Sequence, residues 1–325
     1  MVSGLGKENF GRCLSFADIK FNIIFESEGR LPNFRGPTLR GALGFSLKRT
    51  VCHIRNTSCR DCPVMQSCVY STMFEGVAPP DRQIMRKYGN IPQPFVIIIN
   101  QDEPNQVEMG QKYEFTIRLF GQSIHHVPYL SFAIMQAGEK GLGKDEIPFR
   151  VEQVTQAGYN GNLRILYDGT CNNILPGEPQ ILDADMFNID SGNKMLQVKF
   201  ETPVKYLFDG KPCRTPDFQP FLKAALRRVR LVTHFYGIDF ADHCDPEELF
   251  KVSEQVELAA KHTNVHSFTR YSNRQNQKIP LEGMVGSVVY KGEFNKLYPL
   301  LQLANLTHVG KATSFGFGRI SLQTV

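Results

Sequence analysis

The chain has 325 residues, a formal net charge of +5 and an ordinary globular composition, with 42% hydrophobic and 21% charged residues. This length allows two domains that each bury a core, and the composition excludes a disordered protein. The longest apolar run, at 95–99, is far too short to span a bilayer, and the first residues lack the apolar core of a signal peptide. We therefore expect a cytoplasmic protein with no membrane partner, whose mild positive charge suits a polyanion if the basic side chains cluster.

Alternating and apolar runs predict strands, and apolar positions at helical spacing predict helices. In chain order the predicted elements are strand 16–25, helix 37–51, strands 95–99 and 113–119, helix 128–139, strand 196–201, helices 216–236 and 245–261, strand 284–290 and helix 294–303. The helix at 245–261 has the best specified start, because Asp245 can cap it and Pro246 suits a first turn. A similar order of strand, helix, strand pair, helix and strand occurs in both halves, which is the ferredoxin-like split βαβ order.

We therefore predict an α+β fold of two tandem ferredoxin-like domains. The first covers residues 1–155 and the second covers residues 196–325. The stretch between them, 156–195, is rich in Gly, Asn and Asp, which predicts a linker with one hairpin. Both halves close in a glycine-rich turn that carries a lysine and leads into a last strand, at 141–144 and at 308–319.

Four of the eight cysteines lie within seventeen residues in the spacing C-x6-C-x2-C-x5-C, namely Cys52, Cys59, Cys62 and Cys68. The cytosol keeps thiols reduced, so a disulfide framework is not expected. Four thiolates this close predict a structural zinc ion in an insert of the first domain, at about 52–75. The alternative for the same spacing is a 4Fe–4S cluster.

Basic residues predict binding of a polyanion at two further places in the sequence. One stripe of the helix at 216–236 carries Lys223, Arg227, Arg230 and His234. The closing turn of the second half carries Gly310, Lys311, Gly316, Gly318 and Arg319. Its glycines admit positive φ and close backbone approach, which would free N–H groups for phosphates, while its two cations add charge.

Four segments, 36–44 with the cysteine cluster, 128–143, 209–237 and 270–319, resemble the CRISPR-associated endoribonucleases of the RAMP superfamily, which process precursor CRISPR RNA (crRNA). The resemblance extends from about residue 16 to the end. It implies two RRM-like RAMP domains and a glycine-rich loop that lies against RNA. It also implies metal-independent attack of a 2′-hydroxyl on the adjacent phosphate of a CRISPR repeat, which leaves a 2′,3′-cyclic phosphate.

Such a cleavage needs a base, an acid and a cation beside the phosphate, and histidine suits proton transfer near neutral pH. The resemblance implies a histidine after the first helix, where His53 lies. The rival is His308, immediately before the glycine-rich turn, with Lys311 close by to stabilise the phosphorane. Tyr271 and Arg274 could stack on a base and hold a phosphate. The expected RNA-binding residues are Arg40, Lys48, Arg49, Lys223, Arg227, Arg230, Arg274, Gly310, Gly316, Gly318 and Arg319.

Two other functions stay open at this point. A non-catalytic RAMP subunit would bind guide RNA in a CRISPR effector complex, and no histidine would control a rate. A metal-cluster protein would use its cysteine loop for redox or regulation, and its affinity for RNA would be incidental. The expected partners are CRISPR repeat RNA, other effector subunits and, as an open alternative, a second copy in a homodimer.

Overall fold

The computed structural model describes residues 8–76, 78, 90–100, 103–158, 161–170, 173–189, 194–272 and 277–325. The chain forms two compact units. We call residues 15–180 the amino-terminal unit, and residues 181–325 together with the segment up to Leu14 the carboxy-terminal unit. Within the described ranges, no helix is long and apolar enough to cross a membrane.

A short helix, α1 (Glu8–Arg12), precedes the first strand and belongs to the carboxy-terminal unit. The elements of the amino-terminal unit are β1 (Phe16–Phe25), β2 (Gly29–Arg30), α2 (Gly36–Val51), β3 (Phe95–Ile99), β4 (Gln106–Val107), β5 (Lys112–Phe120), α3 (Val127–Lys140), β6 (Phe149–Ala157) and β7 (Leu163–Tyr167). Its antiparallel sheet has the strand order β3-β5-β1-β6-β7, and β2 pairs with β4. The order of β3, β5, β1 and β6 is that of a ferredoxin-like domain.

The central strands of this unit show why the sequence pattern was informative. Along β5, exposed and buried residues alternate, so one face of the sheet is wet and the other lies in the core. Phe21 of β1 lies opposite Phe115 of β5, and their stacked rings are 5.2 Å apart in the core. Asp18 and Arg118 are also directly opposite, with 2.7 Å between the carboxylate Oδ1 and the guanidinium Nε. The core stacking and the ion pair both require this register.

The carboxy-terminal unit continues with β8 (Met195–Val204), β9 (Leu207–Phe208), β10 (Lys211–Pro212), α4 (Phe218–Tyr236), α5 (Pro246–Ser253), β11 (Glu257–Ser272), β12 (Gln277–Lys291), α6 (Tyr298–Thr307) and β13 (Ile320–Thr324). The antiparallel sheet has the order β11-β12-β8-β13, and β9 pairs with β10. With β8 as first strand and β13 as last, this repeats the ferredoxin-like order of the amino-terminal unit. The predicted tandem ferredoxin-like fold is confirmed.

The segment 8–14 packs within the carboxy-terminal unit. The Ile238 N–H donates to the Cys13 carbonyl at 2.9 Å, and a Cβ on Gly237 would lie 2.0 Å from that same oxygen. The Phe10 ring lies 5.7 Å from the Phe240 ring. At the other boundary, β7 pairs with β6, so the hairpin predicted between the domains belongs to the amino-terminal unit.

Two predicted helices differ from the structure. The helix predicted at 245–261 ends at Ser253, and Glu257 already begins β11. Pairing with β12 over the whole length of β11 outweighs the helix propensity of residues 257–261. The helix predicted at 294–303 instead runs from Tyr298 to Thr307, with Pro299 in its first turn.

Candidate functional site

The glycine-rich loop between α6 and β13 has an unusual backbone. Positive φ angles occur at His308, Gly310, Ala312, Gly316 and Gly318. A Cβ on Gly310 would lie 2.2 Å from the Lys205 carbonyl oxygen, and one on Gly318 would lie 2.0 Å from the Val309 carbonyl oxygen. The loop therefore needs glycine at both positions, for its φ and for its close packing against backbone.

The amides of this loop bond mainly within the protein. The Lys311 N–H donates to Lys205 at 2.8 Å, and the Gly318 N–H donates to Pro203 at 2.9 Å, which attaches the loop to the end of β8. The Gly316 N–H donates to the Thr313 carbonyl at 2.9 Å. The expectation that glycines free these N–H groups for phosphates is therefore wrong for all three amides. The exposed side chains of Lys311 and Arg319 carry the positive charge of the loop.

His308 anchors the loop from inside. Its side chain is 1% exposed, and its Nδ1 lies 2.9 Å from the Phe317 carbonyl oxygen. A ring that is buried and hydrogen-bonded in this way is less accessible to a ribose than an exposed histidine, and the role of His308 as general base stays a prediction.

Arg228 supports the same part of the unit and was missed by the sequence reasoning. Its Nε donates to the Thr307 carbonyl at 3.0 Å, at the end of α6. Burial lowers the pKa of Arg228 to about 10, so the guanidinium stays charged at neutral pH. The available signal was its position, because Arg228 falls between Leu226 and Val229 on the buried side of α4.

The basic stripe of α4 has two parts. Lys223 and Arg227 are exposed near its middle. Further along, one carboxylate lies beside an arginine and a histidine: Asp239 lies 3.4 Å from the Nε of Arg230 and 3.2 Å from the Nδ1 of His234. Lys223 and Arg227 are therefore the more accessible to a phosphate backbone, and Arg230 already has an acidic partner.

The four clustered cysteines line one cavity of about 180 Å³, together with His53 and apolar side chains. None of the four forms a disulfide. Burial raises the pKa of the Cys59 thiol, against the opposing charge of Lys48. Among the described residues, however, no three His, Cys, Asp or Glu side chains are arranged to hold a metal ion. The thiols share a cavity without the geometry of a zinc or iron–sulfur site, so both remain predictions.

Charged and titratable side chains lie along α2 and just beyond its end. His53 is exposed and directly follows Cys52, the C-cap residue of α2. The Lys48 Nζ lies 5.2 Å from the centre of the Tyr70 ring, and the Arg40 Cζ lies 5.0 Å from the centre of the Phe74 ring. Burial is the main cause that raises the pKa of Tyr70 to about 12, so its phenol keeps its proton at neutral pH. Sequence reasoning missed Tyr70, because nothing local marks it as a neighbour of α2.

Three further residues were predicted to contact RNA. Arg49 is exposed on α2. Tyr271 lies near the end of β11, where its backbone pairs with Lys278. Arg274 lies outside the described residues. Their predicted contacts with RNA stay predictions.

Two family models match the chain. Residues 14–179, just over half of it, match the AF_1859_N model, an N-terminal domain, so the chain belongs to that family. Residues 198–320 match the model of the CRISPR-associated endoribonuclease Cas6, and this region includes the glycine-rich loop. The Cas6 match covers less than half of the chain and supports a Cas6/RAMP relationship for this region. The match of this region to an endoribonuclease family supports RNA cleavage and crRNA processing in general.

Similar proteins match the chain over nearly its whole length. An uncharacterized protein of Archaeoglobus fulgidus is 24% identical over 317 residues, covering 96% of this chain and 99% of that protein. The product complex of Thermus thermophilus Cas6 (TTHB231) has a TM-score of 0.56 at 14% identity, covering 95% of this chain and 100% of that chain. A partial Cas6-RT-Cas1–Cas2 complex has a TM-score of 0.55 at 12% identity, covering 96% of this chain and 46% of that chain. At such identities the two structures show the shared fold.

Proposed function

We propose that this protein is an endoribonuclease that binds CRISPR repeat RNA and cleaves precursor crRNA without a catalytic metal ion. The observation that carries the proposal is the match of residues 198–320 to the Cas6 endoribonuclease family, a region that contains an anchored loop with two exposed cations, Lys311 and Arg319. Exposed cations on a rigid loop are suited to contact a ribose-phosphate backbone. In this proposal Lys223 and Arg227 extend the contact along α4.

For the cleavage step we favour His53 as the base over His308. His53 is exposed, whereas the ring of His308 is buried and bonded to the Phe317 carbonyl. Lys48 and the protonated phenol of Tyr70 lie at the same end of α2. Lys48 could supply positive charge to a phosphate, whereas the Tyr70 hydroxyl is hydrogen-bonded to Glu75.

The proposed step is a transesterification. The base takes the proton of a 2′-hydroxyl, the 2′ oxygen attacks the adjacent phosphorus, and the bond from phosphorus to the 5′ oxygen breaks. The leaving 5′ oxygen takes up a proton, and the other fragment ends in a 2′,3′-cyclic phosphate. A cationic side chain beside the non-bridging oxygens lowers the barrier, because negative charge grows on them in the transition state.

The test is cleavage of a repeat RNA in EDTA by the wild type, His53→Ala and His308→Gln. We expect the wild type to cut once per repeat, and His53→Ala to bind the RNA normally but to lose at least about 100-fold in rate, as for a lost general base. We expect His308→Gln to be less stable, with cleavage retained in the fraction that stays folded. Wild-type protein that binds the repeat without cutting it would favour the non-catalytic RAMP subunit instead.

Protein partners form a second part of the proposal. The similarity to the Cas6-containing chain of a Cas6-RT-Cas1–Cas2 complex supports other CRISPR proteins as partners. Co-purification of the tagged protein with CRISPR proteins, with and without ribonuclease, would show whether such contacts exist and whether RNA mediates them. A homodimer stays a prediction.

A further inference from the structure

A groove between α2 and α3 on the amino-terminal unit has no role in the cleavage just described. Its volume is about 240 Å³, and its walls include Phe45 and Arg49 of α2 with Phe132 and Lys140 of α3. Phe45 is 51% exposed and Phe132 is 45% exposed. Single exposed aromatic side chains are common, but two that share one groove are more unusual.

The groove combines these rings with positive charge. The Lys140 Nζ lies 3.9 Å from the centre of the Phe45 ring, in cation–π contact. Arg49 follows Phe45 by one helical turn and is also exposed. None of the described side chains that line the groove is acidic. The nearest acid along α3, Glu139, accepts a hydrogen bond from Gln136 at 3.1 Å.

A third ring extends this surface along α3. Tyr129 is 49% exposed and precedes Phe132 by one helical turn. The cavity is smaller than the ~300–1,000 Å³ typical of sites for whole drug-sized ligands, so it fits one planar group of a longer chain. Flat apolar faces flanked by cations are the features with which proteins bind unpaired nucleotides, because bases stack on rings and phosphates attract cations.

We propose that the groove between α2 and α3 binds an unpaired nucleotide of the RNA, with its base against Phe132 and Phe45 and its phosphates beside Arg49 and Lys140. This inference rests on the proposed RNA-processing function and adds a second contact to it. The same face of a second copy would bring a second Arg49 and a second Lys140 against these two cations, and like charges repel. The charge of the groove therefore favours RNA over self-association.

The experiment uses the full-length protein and a precursor RNA that carries 4-thiouridine in its unpaired positions. After irradiation, we expect crosslinks to peptides of α2 or α3 that contain Phe45 or Phe132. In equilibrium binding, Phe45→Ala/Phe132→Ala should bind the RNA about 10-fold more weakly, as for one lost stacked base. The matched control is Leu163→Ala, another exposed apolar side chain of this unit, and it should bind like the wild type.

A second variant, Phe45→Leu/Phe132→Leu, separates stacking from packing. It keeps apolar side chains but removes the planar faces, so it should bind as weakly as the alanine variant. Wild-type affinity in the leucine variant, an absence of crosslinks in α2 and α3, or a loss of self-association with unchanged RNA affinity would each overturn the inference. Cleavage is scored separately: a wild type that binds and crosslinks but never cuts would refute the endoribonuclease and leave the groove assignment intact.

Discussion

Replacement of Gly318 by alanine tests the backbone of the glycine-rich loop directly. A Cβ at this position would lie 2.0 Å from the Val309 carbonyl oxygen, at a φ of +77°. The positive φ alone costs about 1 kcal/mol for a residue with a Cβ. Relief of the clash would also stretch the bonds from the Val309 N–H to Gly318 and from the Gly318 N–H to Pro203, at about 1 kcal/mol each. We therefore expect Gly318→Ala to lower the free energy of unfolding by about 3 kcal/mol.

The matched control is Gly210→Ala in the same unit. Gly210 has a φ of +79°, and no atom lies within 4 Å of its would-be Cβ, so only the backbone cost of about 1 kcal/mol applies. In a thermal melt, the expected losses in Tm are roughly 6–12 °C for Gly318→Ala and roughly 2–4 °C for the control. Equal losses would refute the reasoning, because they would show that the loop relaxes around the added methyl group at no cost.

Three further predictions concern charge, pH and metal. Lys311→Ala should weaken binding of all RNA sequences alike and reduce the slope of log K against log salt by about 0.7, measured by titration at several salt concentrations, whereas Lys291→Ala should not. Burial is the main cause that lowers the pKa of His126 in the folded protein. Just below pH 6.5 the unfolded chain therefore binds more protons than the folded protein, so the free energy of unfolding should fall as the pH drops through this range. Urea titrations at pH 5.5 and 7.5 should show this fall, and His126→Asn should reduce it. If the sequence prediction of a zinc site is right, elemental analysis should find about one zinc ion per chain, lost in Cys59→Ser/Cys62→Ser; full stability without metal would contradict it.

Much of the fold could be predicted because its strands carry clear local patterns. The bounds of β1 and β3 agree with the prediction. The apolar run Phe95–Ile99 is short and continuous and shows no helical periodicity, so its sequence favours a strand over a helix. The start of α5 was equally well specified, since the Asp245 carboxylate accepts the Glu247 N–H as the capping pattern predicted. The end of that helix could not be predicted in the same way. Its last predicted residues belong to β11, and that strand depends on pairing with residues about 30 positions away in sequence.

The candidate site was harder to predict than the fold. The motif around His308 correctly marked a conformationally special loop, but sequence position does not reveal which way a ring points or what covers it. His308 is buried and His53 is exposed, and this difference depends on the packing of the folded unit. Likewise, Phe45 and Phe132 are almost ninety positions apart, and only the packing of α2 beside α3 brings them to one groove.

The segment that ends at Leu14 has a consequence for biosynthesis. It leaves the ribosome long before its partners, because its hydrogen-bonding partner Ile238 and its ring neighbour Phe240 are made more than two hundred residues later. The amino-terminal unit can fold while the segment still has no place to dock. Completion of the carboxy-terminal unit therefore depends on a piece of chain that was made more than two hundred residues earlier, and a deletion of 8–14 should destabilise the carboxy-terminal unit more than the amino-terminal unit.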